Sequence, residues 1–360
     1  MNHPFRRCFS RLALAAVLGL TLSVHAATVL WNGAGSVTNN YFSNTNNWVP
    51  GSVPAANNIG GSSVNFGPLA GGATNTANCD AAGNSGTWTF NAGTPALVVT
   101  LNATNQLGAV TGPDVFVNNS TNLQTITGAF RLFDINVSTS SRRFNAAAGP
   151  LVIASSTLTL RGDNSPTIWA IELGGSTTGN QLNCGFANGG NLGGKTVNLL
   201  KTGAGRWEIV SPLPDLTTNA TALTVAAGSL TLDAANTYTG PTIVSNGATL
   251  NITTLAAGAG TYAVSNAATL GVALANAGGS LTNASLTLGS RSTDATTLNL
   301  NLATFGNLAN AMIRVIGALN VNGTCTVTVT NGALVPGQFP LIHYGSQTGA
   351  AGLILGPLPG

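Results

Sequence analysis

The feature that most constrains this chain is a set of short segments in its C-terminal half that alternate Leu or Val with Thr or Asn. Alternation with a period of two is typical of a β-strand that buries one face and exposes the other. The first four segments begin at positions 228, 247, 267 and 284, at nearly even intervals along the chain. Three further segments occupy residues 296–302, 317–322 and 324–330. A repeat length of roughly 20 residues indicates one coil of a β-solenoid.

A meander or a β-sandwich also contains short alternating strands, but two observations favour the solenoid. Like residues recur at like positions, which predicts aliphatic columns inside and rows of Thr and Asn outside. Hairpin signals are few, with Asn246-Gly247 and Asn331-Gly332 as isolated cases. A coil buries about three or four aliphatic side chains worth roughly 1.5–3 kcal/mol each, whereas ordering its backbone costs on the order of 20–40 kcal/mol. Coils are therefore stable only when they stack.

A more specific pattern lies between residues 201 and 252. Lys201-Thr202-Gly203-Ala204-Gly205 is followed by the Leu-rich segment 228–232, by Asn236-Thr237-Tyr238-Thr239-Gly240 and by Gly247-Ala248-Thr249-Leu250-Asn251-Ile252. These pieces, interrupted by an insert at residues 211–223, resemble in their order the autotransporter-associated β-strand repeat of bacterial surface proteins. The resemblance implies an all-β, right-handed, single-stranded parallel β-helix and a surface location. It implies no particular ligand or reaction.

The sequence divides into five predicted regions. They are a signal peptide (1–26), a Trp/Asn-rich N-terminal cap (27–86), irregular solenoid coils (87–195), a solenoid with the recognised repeat (196–335) and a C-terminal strand or tail (336–360). Within the irregular coils, we predict strands at residues 87–90, 97–101, 115–117, 130–137, 151–160 and 168–173. The Gly- and Asn-rich residues 174–194 are interpreted as a loop.

The N-terminal segment 1–26 has the three parts of an export signal. Arg6, Arg7 and Arg11 form the basic region, the apolar run spans residues 12–24, and small residues predict cleavage after Ala26. The apolar run is too short for a permanent membrane anchor. We therefore expect a secreted or cell-surface protein that uses the secretion machinery and has no transmembrane segment after cleavage. No barrel-forming or sorting segment follows, so either export uses another route or the sequence is truncated.

Composition weighs against two classes of protein. Three of the twelve basic residues lie in the signal, which leaves nine basic residues against nine acidic ones. A nearly neutral chain lacks the clustered Lys and Arg that neutralise phosphates, so we expect no nucleic-acid partner. Low charge and 46 glycines are compatible with disorder, but 44% hydrophobic residues in alternating runs predict a buried core.

The sequence offers few groups for metal or cofactor chemistry. After the signal, three cysteines remain: Cys79, Cys184 and Cys325. The strand alternation predicts that Cys184 and Cys325 point inward. A disulfide between Cys79 and Cys184 is an alternative that the sequence does not decide. His343 is the one histidine beyond the signal. Zinc sites require clustered His and Cys, so we expect no metal and no cofactor.

Many parallel β-helices cleave polysaccharides, which makes an enzyme the third hypothesis. Such reactions use paired carboxylates, or acids beside a Lys or Arg base. The charged residues are densest between residues 161 and 208, where neighbouring coils could bring them together. The members of this group are Arg161, Asp163, Glu172, Lys195, Lys201, Arg206 and Glu208. Structural ion pairs explain such charges more simply.

The N-terminal aromatic residues have two interpretations. Trp31, Tyr41 and Trp48, with Phe42 and surrounding Asn, suit carbohydrate binding, in which rings stack on sugars and amides bind hydroxyls. They equally suit a hydrophobic cap over the first coil, which we favour. We therefore predict a structural or adhesive solenoid without catalytic activity. Its partners would be extracellular polysaccharides or cell-surface components, and a polysaccharide-binding module is the alternative.

Overall fold

The computed structural model describes most of the chain beyond the predicted signal peptide. The described residues are 28–35, 39–49, 63–80, 83–102, 105–107, 113–134, 139–162, 168–190, 192, 195–216, 220–256, 258, 260–349 and 352–358. The signal peptide prediction falls outside these residues. Within them, the one helix is a single 3₁₀ turn, Thr45–Asn47, and no helix is long and apolar enough to cross a membrane.

Thirty strands form the rest of the regular structure in the described ranges. The first fifteen are Thr28–Trp31 (β1), Trp48–Val49 (β2), Ser63–Phe66 (β3), Thr76–Asn78 (β4), Gly83–Ser85 (β5), Trp88–Phe90 (β6), Leu97–Leu101 (β7), Asn105–Leu107 (β8), Asp114–Asn118 (β9), Gln124–Asp134 (β10), Thr139–Ala146 (β11), Leu151–Gly162 (β12), Ile168–Gly175 (β13), Asn180–Leu182 (β14) and Gly185–Asn188 (β15). The second fifteen are Thr196–Lys201 (β16), Arg206–Ile209 (β17), Ala222–Val225 (β18), Ser229–Leu232 (β19), Thr242–Val244 (β20), Thr249–Thr253 (β21), Thr261–Val264 (β22), Thr269–Ala273 (β23), Leu281–Asn283 (β24), Ser285–Leu288 (β25), Ala295–Asn301 (β26), Ile313–Val321 (β27), Thr324–Thr330 (β28), Ile342–Thr348 (β29) and Leu353–Leu355 (β30).

The strands stack into two long sheets that face each other across the core. Sheet A runs β2-β1-β3-β6-β9-β11-β13-β16-β18-β20-β22-β25-β27, and sheet B runs β4-β7-β10-β12-β14-β17-β19-β21-β23-β26-β28-β30. Among the described strands only β1 and β2 pair antiparallel; the other pairs are parallel. Each coil contributes a strand to each sheet, so the predicted parallel β-solenoid is confirmed.

Sheet B shows how the alternating sequence specifies the register. Trp207, Leu230, Leu250, Leu270 and Leu298 are register partners on successive strands and all are buried. A second buried column lies two residues further along and contains Ile209, Leu232, Ile252, Val272 and Leu300. Stacking like side chains at the strand spacing of about 4.8 Å fills the interior without gaps. The predicted aliphatic columns are therefore confirmed.

Two sequence interpretations are wrong in detail. Residues 174–194 are not simply a loop, because they contain β14 and β15, which pair with β12. The segment at residues 284–289 lies in sheet A, whereas the segments at 228–232, 247–252 and 267–272 lie in sheet B. The reason is that each coil holds two strands, and both sheets use the same Leu/Thr alternation.

The N-terminal segment covers the open end of both sheets. Strand β2 pairs with the edge of β1, and Tyr41 forms a bridge to Asn78 at the edge of β4. Phe42 lies between Trp31 and Trp88. Its ring centroid is 4.9 Å from that of Trp31 and 5.4 Å from that of Trp88. Because an uncovered edge invites association with other chains, this arrangement performs the task of a cap.

The three cysteines beyond the signal are buried thiols. Cys184 and Cys325 point into the core, as their strand parity predicts. Cys79 accepts a hydrogen bond from Asn105 Nδ2 at 3.3 Å. Cys79 and Cys184 are therefore not bridged, and burial raises the pKa of Cys184 to about 12, which suppresses its thiolate.

Candidate functional site

Lys201, the first residue of the recognised motif, is a structural group. It occupies the inward column of sheet A between Leu173 and Val225 and is fully buried. Its Nζ donates hydrogen bonds to the carbonyl oxygens of Thr202, Gly203 and Ala227 at 2.6, 2.8 and 3.0 Å. Burial lowers the pKa of Lys201 to about 8, while three acceptors favour the ammonium form. Lys201 therefore holds together the corners of two adjacent coils.

Gly203 completes this corner. Its φ is +69°, a left-handed conformation that glycine adopts without steric cost. A Cβ built on Gly203 would overlap the carbonyl oxygen of Gly175 on the previous coil. The Lys-Thr-Gly pattern is thus explained by close stacking of corners, with no need for a ligand.

The Asn-x-Tyr-x-Gly part of the motif is structural too. Asn236 is buried, accepts a hydrogen bond from the backbone N–H of Leu213 at 2.9 Å and donates to the carbonyl of Ala234 at 2.7 Å. The hydroxyl of Tyr238 lies 2.8 Å from Thr242 Oγ1. Burial raises the pKa of Tyr238 well above its usual range. These residues satisfy the polar groups of a second corner.

The predicted carbohydrate-binding residues occupy different environments. Trp31 and Trp48 are 0% and 3% exposed, and Trp48 Nε1 donates to the carbonyl of Phe42 at 2.8 Å. Their rings contact each other edge-to-face at 5.1 Å. Tyr41 is 46% exposed, so of the three it alone presents a ring to solvent. Sugar binding by this segment stays a prediction, and its two tryptophans serve the cap.

The charged residues of the enzyme hypothesis are divided between the two sheets. On sheet A, Arg143 forms ion pairs with Asp114 at 2.5 Å and with Glu172 at 3.5 Å. Glu172 also accepts a hydrogen bond from Thr202 Oγ1 at 2.7 Å. Glu208 lies on sheet B. Asp163 falls outside the described residues, and His343 is paired in register with Arg314 on β27.

A carboxyl pair that the sequence analysis missed lies on the outer face of sheet B. Glu208 is on β17, and Asp233 directly follows β19 on the next coil. A hydrogen bond to Glu208, followed by burial, raises the pKa of Asp233 to about 6. The same bond, together with a bond from Gln181 Nε2 at 3.1 Å, lowers the pKa of Glu208. The two groups therefore share one proton at mildly acidic pH, and Arg206 lies beside them.

A trough of about 420 Å³ opens next to this pair. We call it the sheet B trough; its lining includes Arg206, Ser229, Thr231, Asp233, Asn251, Thr253, Gly271, Ala273, Asn299, Asn301 and Thr330. Its floor is Gly271 and Ala273 on β23, which lie in register between Asn251 and Asn299 and between Thr253 and Asn301. Small residues between taller neighbours create the depression.

Metal binding is not suggested by the described part of the chain. There, no group of three or more His, Cys, Asp or Glu side chains is placed to hold a metal ion. The charge of Arg206 acts on both carboxyls of the Glu208–Asp233 pair. The pair and its surroundings offer hydrogen-bond donors and acceptors together with one exchangeable proton.

Comparison with families of known proteins, with curated proteins and with solved structures finds no match to this chain. The class that the geometry defines is the parallel β-solenoid. The autotransporter-associated repeat remains a resemblance carried by residues 201–252.

We expect Asp233→Asn to change the pH dependence of stability. The folded pKa of Asp233 is about 6, above the value of about 3.9 for an unfolded Asp. The shared proton therefore stabilises the fold at low pH, and this contribution is lost as the pH rises through 6. An amide at this position donates to Glu208 at every pH. Solvent screening of the exposed pair limits the effect to about 1 kcal/mol.

Thermal unfolding of both proteins at pH 4.5 and pH 7.5 measures this effect. Wild type should lose stability relative to Asp233→Asn as the pH rises. Because the bond to Asp233 also lowers the pKa of Glu208, the comparison measures the titration of the pair as a unit. Identical pH profiles would contradict the shared proton.

Proposed function

We propose that this chain is an exported, non-catalytic β-solenoid that serves as a structural or adhesive element at the cell surface or outside the cell. The observation that carries the proposal is the use of its motif residues. Lys201, Asn236 and Tyr238 bind backbone or side-chain groups at the corners of stacked coils. Because these motif residues stabilise the stacking of coils, they support a function that depends on an extended scaffold.

The outer faces of the sheets support an adhesive function. Outward positions carry Thr and Asn, as in the register series Thr249, Thr269, Thr297 and Thr326 on sheet B. Neutral polar rows present many weak hydrogen-bonding groups at a regular spacing. Such a surface suits repeated contact with a partner more than the tight enclosure of one small molecule.

A pair of carboxyl groups is also the catalytic group of most glycosidases. In glycosidases the two carboxyl groups stand about 5–5.5 Å apart in retaining enzymes and about 6.5–9.5 Å apart in inverting ones. Glu208 and Asp233 instead each shift the pKa of the other, as groups that share one proton do, whereas glycosidase carboxyls act as two separate groups. This arrangement supports a binding role for the pair.

A panel of polysaccharides tests the proposal. The chain without residues 1–26 would be incubated with each polysaccharide, and both co-sedimentation and release of reducing sugar ends would be measured. We expect retention on at least one polysaccharide without release. Release of sugar ends above that of a heat-denatured sample would overturn the non-catalytic proposal.

Export is tested separately by expressing the full chain in a bacterial host. We expect the protein outside the cytoplasm with Ala27 as its first residue. A matched variant with Arg6, Arg7 and Arg11 changed to Glu should remain inside, because the basic region orients the signal. Wild type recovered uncleaved from the cytoplasm would contradict export.

A further inference from the structure

The sheet B trough combines donors and acceptors that have spare hydrogen-bonding capacity. Asn299 Oδ1 accepts from Thr330 Oγ1 at 3.2 Å, and Asn301 Oδ1 accepts from Asn331 Nδ2 at 2.9 Å. These bonds use the amide oxygens and orient both side chains, which leaves the amide N–H₂ groups to act as donors. The trough is therefore edged by fixed amide groups.

Thr231 provides an independent sign of a missing partner. It lines the trough, is 8% exposed, and its Oγ1 is buried without a hydrogen-bond partner among the described residues. Leaving a buried hydroxyl unsatisfied costs roughly 1–3 kcal/mol. Its register neighbours are Glu208 and Asn251. A rotation of the Thr231 side chain about χ1 would turn this hydroxyl toward the trough, where a ligand hydroxyl would satisfy it next to the carboxyl pair.

One of the two floor residues of the trough, Gly271, is unusual at an outward position. Gly271 interrupts an outward column that reads Thr231, Asn251, Gly271, Asn299 and Thr328. A Cβ on Gly271 would overlap Asn251 Oδ1. The absence of a side chain at Gly271 therefore gives the Asn251 amide room to lie over β23. The trough at this point is shallow and is lined by that amide.

The charges of the trough indicate which ligand it would accept. Arg206 carries one positive charge, and the Glu208–Asp233 pair carries one or two negative charges depending on its shared proton. The site is thus neutral or slightly negative, which disfavours an anionic chain. Its lining side chains are hydroxyls, amides and small groups, so an apolar ligand would leave them unsatisfied. Hydroxyl groups, which both donate and accept, match this surface.

We propose that the sheet B trough binds a segment of a neutral polysaccharide, with Gly271 giving room for the Asn251 amide and with Thr231, Asn251, Asn299 and Asp233 binding sugar hydroxyls. This rests on the proposed adhesive function and gives it a ligand class and a location. The trough volume of about 420 Å³ lies within the range of known ligand sites. The sugar chain would lie across the face of the solenoid, away from the aromatic cap.

Affinity electrophoresis in gels containing mannan, xylan or β-glucan tests the proposal, with polygalacturonate as the anionic comparison. Wild type should be retarded by at least one neutral polysaccharide and not by polygalacturonate. Gly271→Asn, whose side chain would displace the Asn251 amide from the trough, should weaken binding at least tenfold. Thr231→Val and Asn299→Ala should each weaken it several-fold, and neither depends on Gly271→Asn folding correctly.

Asn320→Ala is the matched control, because Asn320 is an outward, half-buried amide on sheet A that donates to Thr287 Oγ1 at 3.2 Å. It should bind as wild type does, and circular dichroism and melting should show that every variant is folded. Retardation unchanged in all three trough variants would place binding elsewhere, which overturns the trough as the site while leaving the adhesive proposal intact. No retardation by any neutral polysaccharide, or retardation by polygalacturonate alone, would overturn the ligand class.

Discussion

Trp207→Ala should destabilise the fold by about 3–5 kcal/mol, the range typical of replacing a buried Trp. Trp207 is fully buried in the inward column of sheet B, between Asn180 and Leu230. Its Nε1 also donates to the carbonyl of Gly174 at 2.9 Å. The substitution removes the largest side chain of its coil and leaves that carbonyl without its donor. The cavity cannot close, because the flanking strands are fixed by their own pairing.

Hydrogen exchange is the appropriate measurement, since stacked coils unfold locally as well as globally. Amides of residues 196–232 should lose protection in Trp207→Ala, while those of residues 313–330 should change little. Trp207→Phe keeps most of the packing and should cost about 1–2 kcal/mol for the lost hydrogen bond. Thr249→Ala, at an outward position of the same sheet, should stay within about 0.5 kcal/mol. Equal exchange in Trp207→Ala and wild type would contradict the packing argument.

Lys201→Met should cost about 3 kcal/mol, because three partly buried carbonyl oxygens lose the ammonium that binds them. Methionine fills a similar volume in the inward column, so packing contributes little to the loss. Each buried acceptor left unsatisfied costs roughly 1–3 kcal/mol, and relaxation of the corner recovers part of the total. The result would show that an inward lysine at this position stabilises the coil, contrary to the usual preference for aliphatic residues.

The matched control is Leu199→Met, at the neighbouring inward position of β16. A swap between similar hydrophobic volumes typically costs less than about 1.5 kcal/mol. Urea unfolding monitored by tryptophan fluorescence compares the two variants. If Lys201→Met proves no more destabilising than Leu199→Met, the three hydrogen bonds do not support the corner.

The strands could be predicted wherever apolar and polar residues alternate. Residues 97–101 match β7 in both bounds, and residues 151–160 fall within β12. Prediction failed where inward positions are polar. Asn180 points inward and donates to the carbonyls of Thr177 and Arg206 at 2.7 and 2.8 Å. Because this inward residue is polar, the sequence of its segment resembles that of a loop. The hydrogen bonds that make such a residue suitable for the core come from neighbouring coils.

The site was harder to predict than the fold because it depends on coil length. Glu208 and Asp233 meet because the register aligns Trp207 with Leu230. On the next coil Leu230 is aligned with Leu250, and fewer residues separate these two partners than separate Trp207 and Leu230. The trough further requires Gly271 to fall between two asparagines of different coils. Neither alignment can be read from local sequence, since residues in the corners shift the spacing without changing the strands.

The uneven coils also affect how such a protein can change over generations. The stretch of chain between the register partners Leu298 and Val327 is nearly half as long again as that between Leu230 and Leu250. The additional residues lie mainly in β27, which has nine residues where β20 has three and which contains a register irregularity between Val315 and Ala318, and the buried columns continue unbroken. Insertions there can alter the exposed surface while the interior keeps its pattern, and whole coils can be duplicated with the same effect. A lineage built in this way can acquire new recognition surfaces faster than it acquires new folds.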